Sequence, residues 1–80
     1  MEMRGTRRQE FVNYFLSLGG EDLGNARLGG PFWEVKIGPQ ESIRLGAVEL
    51  PSVKISFSVE EDKWESFLSA FWMKFLRGGG

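Results

Sequence analysis

Residues 52–77, SVKISFSVEEDKWESFLSAFWMKFLR, decide the fold. In the first part Val53, Ile55, Phe57 and Val59 alternate with Lys54, Ser56 and Ser58, the period of a strand with one apolar face. Past the acidic triplet Glu60-Glu61-Asp62 the period lengthens. Trp64, Phe67, Leu68, Phe71, Trp72, Phe75 and Leu76 fall at i, i+3, i+4 and i+7, the pattern of an amphipathic helix. A half-buried strand that runs into such a helix implies two layers, sheet and helix, around one core. Ser58 and Glu61 have the spacing of a capping box. The triplet suits the positive helix N-terminus, and Lys74 and Arg77 suit its negative end.

Upstream, residues 21–51 are short segments punctuated by glycine and proline. NARL (25–28) is a weak strand. In FWEVKI (32–37) Trp33, Val35 and Ile37 take one face, and Phe32, Glu34 and Lys36 the other. GPQE (38–41) reads as a turn, and SIRL (42–45) resumes the alternation. Gly46-Ala47 fits either a two-residue hairpin turn or a bulge; both readings keep Val48 and Leu50 on the face of Ile43 and Leu45. Pro51 lacks an N–H and marks an edge, a kink or a strand start. These segments predict three or four antiparallel strands with a single apolar face.

A first helix is predicted in TRRQEFVNYFLSLGG (6–20). Thr6 and Gln9 have capping-box spacing, Phe11, Phe15 and Leu18 recur with the helical period, and Gly19-Gly20 ends it. The apolar arcs of both helices are wider than one packing surface needs, so the two are expected side by side on the same sheet face. The expected fold is therefore α+β: one small two-layer domain spanning 1–80, three to four strands, two helices on one face.

Composition excludes more than it assigns. Eighty residues with 41% hydrophobic and 14% aromatic content can bury one core. Without Cys or His there are no disulfides, no thiolate or imidazole metal ligands and no histidine base. A net charge of −1 argues against nucleic acid as a partner. No apolar run approaches the roughly 20 residues of a membrane span. A cytoplasmic location is compatible with these features. No pair of residues is placed by sequence in a catalytic geometry, so neither enzyme activity nor a cofactor is expected.

Several motifs invite functional readings. The tail GGG (78–80) has the glycines that a ubiquitin-like sulfur carrier presents to its activating enzyme, but it follows a helix with a basic last turn, which favours a cap. The triplet at 60–62 points in three directions on a helix and cannot converge on one cation. The glycines of GGEDLGNARLGG (19–30) lack the GK[ST] of a phosphate loop. Two basic groups are the candidate partner-binding residues. Arg4, Arg7 and Arg8 lie near a first helical turn, where cations oppose the helix dipole and an anionic group would relieve them. Lys36, Arg44 and Lys54 are expected as a basic stripe on the uncovered strand face. Phe32 on that face, Met73 off the second helix's stripe and the wide helix arcs leave apolar surface to cover, and a two-fold homodimer is one way to cover it.

With these features in place, FVNYFLSLGG (11–20) and IRLGAVELPSVKISFSVEEDKWESFL (43–68) are similar to the C-terminal domain of MoaD-related proteins. That small module is found behind a ubiquitin-like domain of the molybdopterin-synthase small-subunit type. The shared residues are the helix-ending Gly19-Gly20, the hairpin with Gly46 and Pro51, and the acidic helix start leading to Trp64 and Phe67. None is a catalytic motif. The resemblance implies a fold like that of TATA-binding-protein half-domains, a curved antiparallel sheet with two helices on one face. It also implies a non-enzymatic accessory domain for molybdopterin or sulfur-carrier biosynthesis, with a protein partner such as a ubiquitin-like sulfur carrier. The alternative is a small-ligand domain with an apolar pocket between the second helix and the sheet.

Overall fold

The computed structural model describes residues 1–78. The expected Gly78-Gly80 cap extends past these residues, because Gly79 and Gly80 lie outside them. In chain order the elements are β1 (Glu2–Arg4), α1 (Arg8–Ser17), β2 (Glu21–Gly24), β3 (Arg27–Gly29), β4 (Trp33–Ile37), β5 (Glu41–Leu45), β6 (Val48–Val59) and α2 (Trp64–Gly78). The α+β expectation holds, but the sheet has six antiparallel strands rather than three or four. The order is β1-β6-β4-β3-β2, with β5 also paired to β6. The additional short strands include β1, a three-residue edge carrying one apolar side chain, and β2, whose residues are all exposed.

The twelve-residue β6 organises the sheet. Its C-terminal half pairs with β4 from Ile37↔Ile55 to Trp33↔Val59. Its N-terminal half pairs with β5 from Glu41↔Ser52 to Leu45↔Val48, closed by the two-residue turn Gly46-Ala47 with Gly46 at φ +65°. β1 pairs with the other edge of β6, Met3 opposite Val53. Pro51 sits inside β6 without weakening the β5 ladder. Its carbonyl is turned to the β1 side, where it accepts from the Gly5 N–H at 2.8 Å, so the missing N–H lies on that side too.

One face of the sheet carries the core. Met3, Leu28, Trp33, Val35, Ile37, Val53 and Ile55 are buried there against Phe11 and Phe15 of α1 and Phe67 and Phe71 of α2. Phe71 stacks on Phe15, centroids 5.8 Å apart and planes 11° apart, and meets Phe57 edge-on at 5.3 Å. Both helices use this face, as the width of their apolar arcs requires. The indole of Trp33 lies so near the Gly20 backbone that a Cβ there would fall 2.6 Å from the ring.

Helix starts differ from the sequence expectation. The N-cap of α1 is Arg7, whose N–H donates to the Glu10 carboxylate at 3.4 Å. Gln9, expected to complete a box with Thr6, instead donates to Asn13. The expected Ser58–Glu61 box does not form, because the ladder holds Ser58 opposite Glu34 and Val59 opposite Trp33. A 3₁₀ turn over Glu61–Lys63 follows before α2 begins. At the other end of α1, Gly19 adopts φ +88°, the left-handed conformation that stops the helix.

The single apolar face is corrected by the register. Between the two ladders of β6, residues 38–40 lie opposite residues 53–54, so β4 and β5 are separated by a bulge. The extra residue inverts the side-chain phase. Ile43 and Leu45 join Leu50 and Val48, which share the face of Ser52, Lys54, Ser56 and Ser58, opposite the helices. Apolar residues therefore change face along β6: even-numbered at 48–50, odd-numbered at 53–59. Phe32 also departs from expectation. It precedes β4, so strand alternation does not govern it, and its half-buried ring packs edge-on against Phe67.

Candidate partner-binding surface

The face of the sheet away from the helices is uncovered among the described residues. Register assigns its side chains row by row. Ser58 has Glu34 beside it, Ser56 has Lys36 and then Arg27, and Lys54 has Glu2. Ser52 lies between Arg4 and Glu41, and the last two rows are Leu50 with Ile43 and Val48 with Leu45. Near the helix-packed body this face is charged with both signs. Along the β5–β6 arm it is apolar.

The six candidate cations divide accordingly. Lys36 and Lys54 are exposed on adjacent rows of this face. Arg4 is on it as well, its Nε donating to the Glu2 carboxylate at 3.2 Å. Arg44 is not. The inverted phase places it opposite Glu49 on the other face, with 3.7 Å between the charged groups, so Lys36, Arg44 and Lys54 do not form a stripe. Arg7 is exposed at the start of α1. Arg8 is half-buried. Its guanidinium donates to the carbonyls of Gly38 and Ile37 at 3.0 and 3.2 Å, while its N–H donates to Gln40 Oε1 at 2.8 Å. The relief expected for a cation at a helix start comes here from carbonyl oxygens of the bulge. Arg8 latches α1 to the place where the sheet changes phase.

Arg27 was missed as a candidate. It stands beside Lys36 and donates to Glu34 at 3.3 Å, giving the open face a third cation next to Lys36 and Lys54. Its segment, NARL, has too little alternation to assign a face from sequence alone. Glu2 anchors the neighbouring row. The Ser52 hydroxyl donates to it at 2.7 Å, and this bond, helped by Arg4, holds its carboxyl below the usual range. Among the described residues no cluster of three or more acidic side chains could hold a metal ion, and no helix is long and apolar enough to cross a membrane.

On the helix side, Tyr14, Leu18, Pro31, Phe32, Phe67 and Ala70 line an open groove of about 250 Å³ where α1 and α2 meet the segment before β4. The Lys63 ammonium lies 5.4 Å from the Phe32 ring centroid. Burial pushes the Tyr14 phenol above its ordinary pKa.

These features define an α+β fold, two helices on one face of a six-stranded antiparallel sheet that is open on the other among the described residues. Over residues 1–80 the sequence matches the family described as archaeal MoaD-like protein, and the chain belongs to that family. No curated protein matches it.

Proposed function

We propose that the chain is a non-enzymatic accessory domain that binds a protein partner in molybdopterin or sulfur-carrier biosynthesis. The process is suggested by membership of the MoaD-like family. The binding role is supported by the open sheet face, where Arg27, Lys36 and Lys54 stand on neighbouring rows with Arg4 nearby. A face with both charge signs selects partners by complementarity and steers their approach. A ubiquitin-like sulfur carrier with an acidic surface is the partner this reading favours, in the cytoplasm, with no nucleic acid involved. Arg8 has a positioning role, since its donors are engaged with the bulge. The fold reading behind this is a TATA-binding-protein-like half-domain, supported by one antiparallel sheet with both helices on one face.

The second reading, a small apolar ligand, is favoured by the groove at Tyr14, Phe32 and Phe67. Its volume is below the roughly 300–1,000 Å³ usual for ligand sites, so the protein-binding reading ranks first. Affinity capture from native extract, with the wild-type chain and a Lys36→Glu/Lys54→Glu variant as baits, tests the proposal. A sulfur-carrier or molybdopterin-assembly protein retained by the first and lost by the second is the expected result. Equal retention by both baits, or no such protein on either, overturns it.

A further inference from the structure

The β5–β6 arm carries its own apolar face, and the core does not use it. Leu45 is 50% and Val48 55% exposed, and they pair directly across the arm. Ile43 and Leu50, half-buried, form the next row. Both helices pack on the opposite face of the sheet, so neither covers these side chains. A two-stranded ribbon has little stability in water without apolar cover.

We infer that a second copy of the chain covers this face, arm packed against arm about a two-fold axis that runs along β6. Charge placement fixes that choice. Immediately below the apolar rows, Arg4 and Glu41 flank the buried Ser52 on opposite sides of β6 and on the same face. Rotation by 180° about an axis parallel to β6 exchanges the two sides. Arg4 of each copy then lies over Glu41 of the other, twice in one dimer, while Val48 and Leu50 meet their own counterparts. The face is thus complementary to itself, as a two-fold contact requires. Glu2 and Lys54 on the next row sum to zero net charge, with Lys54, on β6 itself, meeting its own counterpart beside Glu2.

Area sets the strength. The apolar rows with Arg4 and Glu41 offer roughly 400 Å² per copy, about half of the ~800 Å² per partner in a stable interface. The dimer is accordingly weak, with a dissociation constant of roughly tens to hundreds of micromolar. It shares Arg4 and the open face with the accessory role, so a second copy and a protein partner compete for that face, but failure of either leaves the other standing.

Sedimentation equilibrium from about 10 µM to 1 mM tests it. The wild-type chain is expected to pass from monomer to dimer across this range. Leu45→Ser/Val48→Ser is expected to raise the dissociation constant at least tenfold with the far-UV circular dichroism unchanged. Arg4→Glu is expected to weaken association, and adding Glu41→Arg is expected to restore it to within about threefold. A monomer at every concentration, a dimer indifferent to the arm pair, or no recovery in the double charge reversal overturns the inference. A folding-independent check uses the absence of cysteine. Under mild oxidation Val48→Cys should cross-link faster than Glu49→Cys, which is exposed on the opposite face of the arm. Equal rates overturn it.

Discussion

Phe71→Ala removes the ring at the centre of the core. Phe71 is fully buried, stacked on Phe15, and in ring contact with Phe11, Tyr14, Phe57 and Phe75. Truncation loses the transfer free energy of the ring and leaves a void lined by rings on α1, α2 and β6 that cannot all move inward together. Such a substitution costs about 3–5 kcal/mol. A chain of this length, at roughly 0.05–0.15 kcal/mol per residue, has about 4–12 kcal/mol in total. At the low end of that range the alanine variant would be unfolded in water, so Phe71→Leu, expected to cost about 1–2 kcal/mol, serves as a second point. Equilibrium urea unfolding, followed by circular dichroism and by tryptophan fluorescence, reads the change from the midpoints at constant slope. A loss below about 1 kcal/mol for the alanine variant would refute the packing described here and the phase assigned to α2.

Two further outcomes follow from the backbone and from burial. Asn25 and Ala26 link β2 to β3 at φ +54° and +63°, a region that costs an ordinary residue roughly 1–2 kcal/mol and glycine little. Ala26→Gly should raise stability by about 0.5–1 kcal/mol in urea unfolding, and a loss would mean that the turn is not left-handed. The phenol of Tyr14, the one tyrosine, binds its proton more tightly in the folded chain because burial raises its pKa. Its contribution to stability is full below the unfolded pKa and is lost as pH rises through the folded value. Tyrosinate absorbance should therefore show a midpoint above that of free tyrosine; a midpoint at or below it would place the ring in water.

Much of this was legible in the sequence because the signals are dense where the core is built. The alternation from Val53 to Val59 and the helical spacing of Phe67, Phe71 and Phe75 fix which side chains face inward, and Phe11 and Phe15 do the same for α1, whereas Trp64 and Leu18, at the ends of the same patterns, stay exposed. Short edge strands leave little pattern: β1 shows one buried residue, Met3, and β2 none. Less obvious was the change of face. Val48 and Leu50 are even-numbered where Val53 and Ile55 are odd, so an unbroken β6 must turn the two pairs to opposite sides. Reading Gly38-Pro39-Gln40 as a turn instead of a bulge concealed this, and with it the true face of Arg44. The same residues explain the bulge. Gly38 approaches the Lys54 carbonyl so closely that a Cβ would lie 3.3 Å from it, and Arg8 and Gln40 tie the segment to α1.

The open surface, the placement of the cations and the arm contact all rest on that change of face along β6. Thiol reactivity tests it directly, because each introduced cysteine is the only one in the chain. Val48→Cys and Val53→Cys are compared in dilute protein, at about 1 µM, well below the expected dimer constant. Residue 48 should react with a thiol reagent nearly as fast as a free cysteine. Residue 53, fully buried opposite Met3, should react at least a hundredfold more slowly, limited by opening of the fold. Comparable protection at both positions would put them on one covered face and contradict the account.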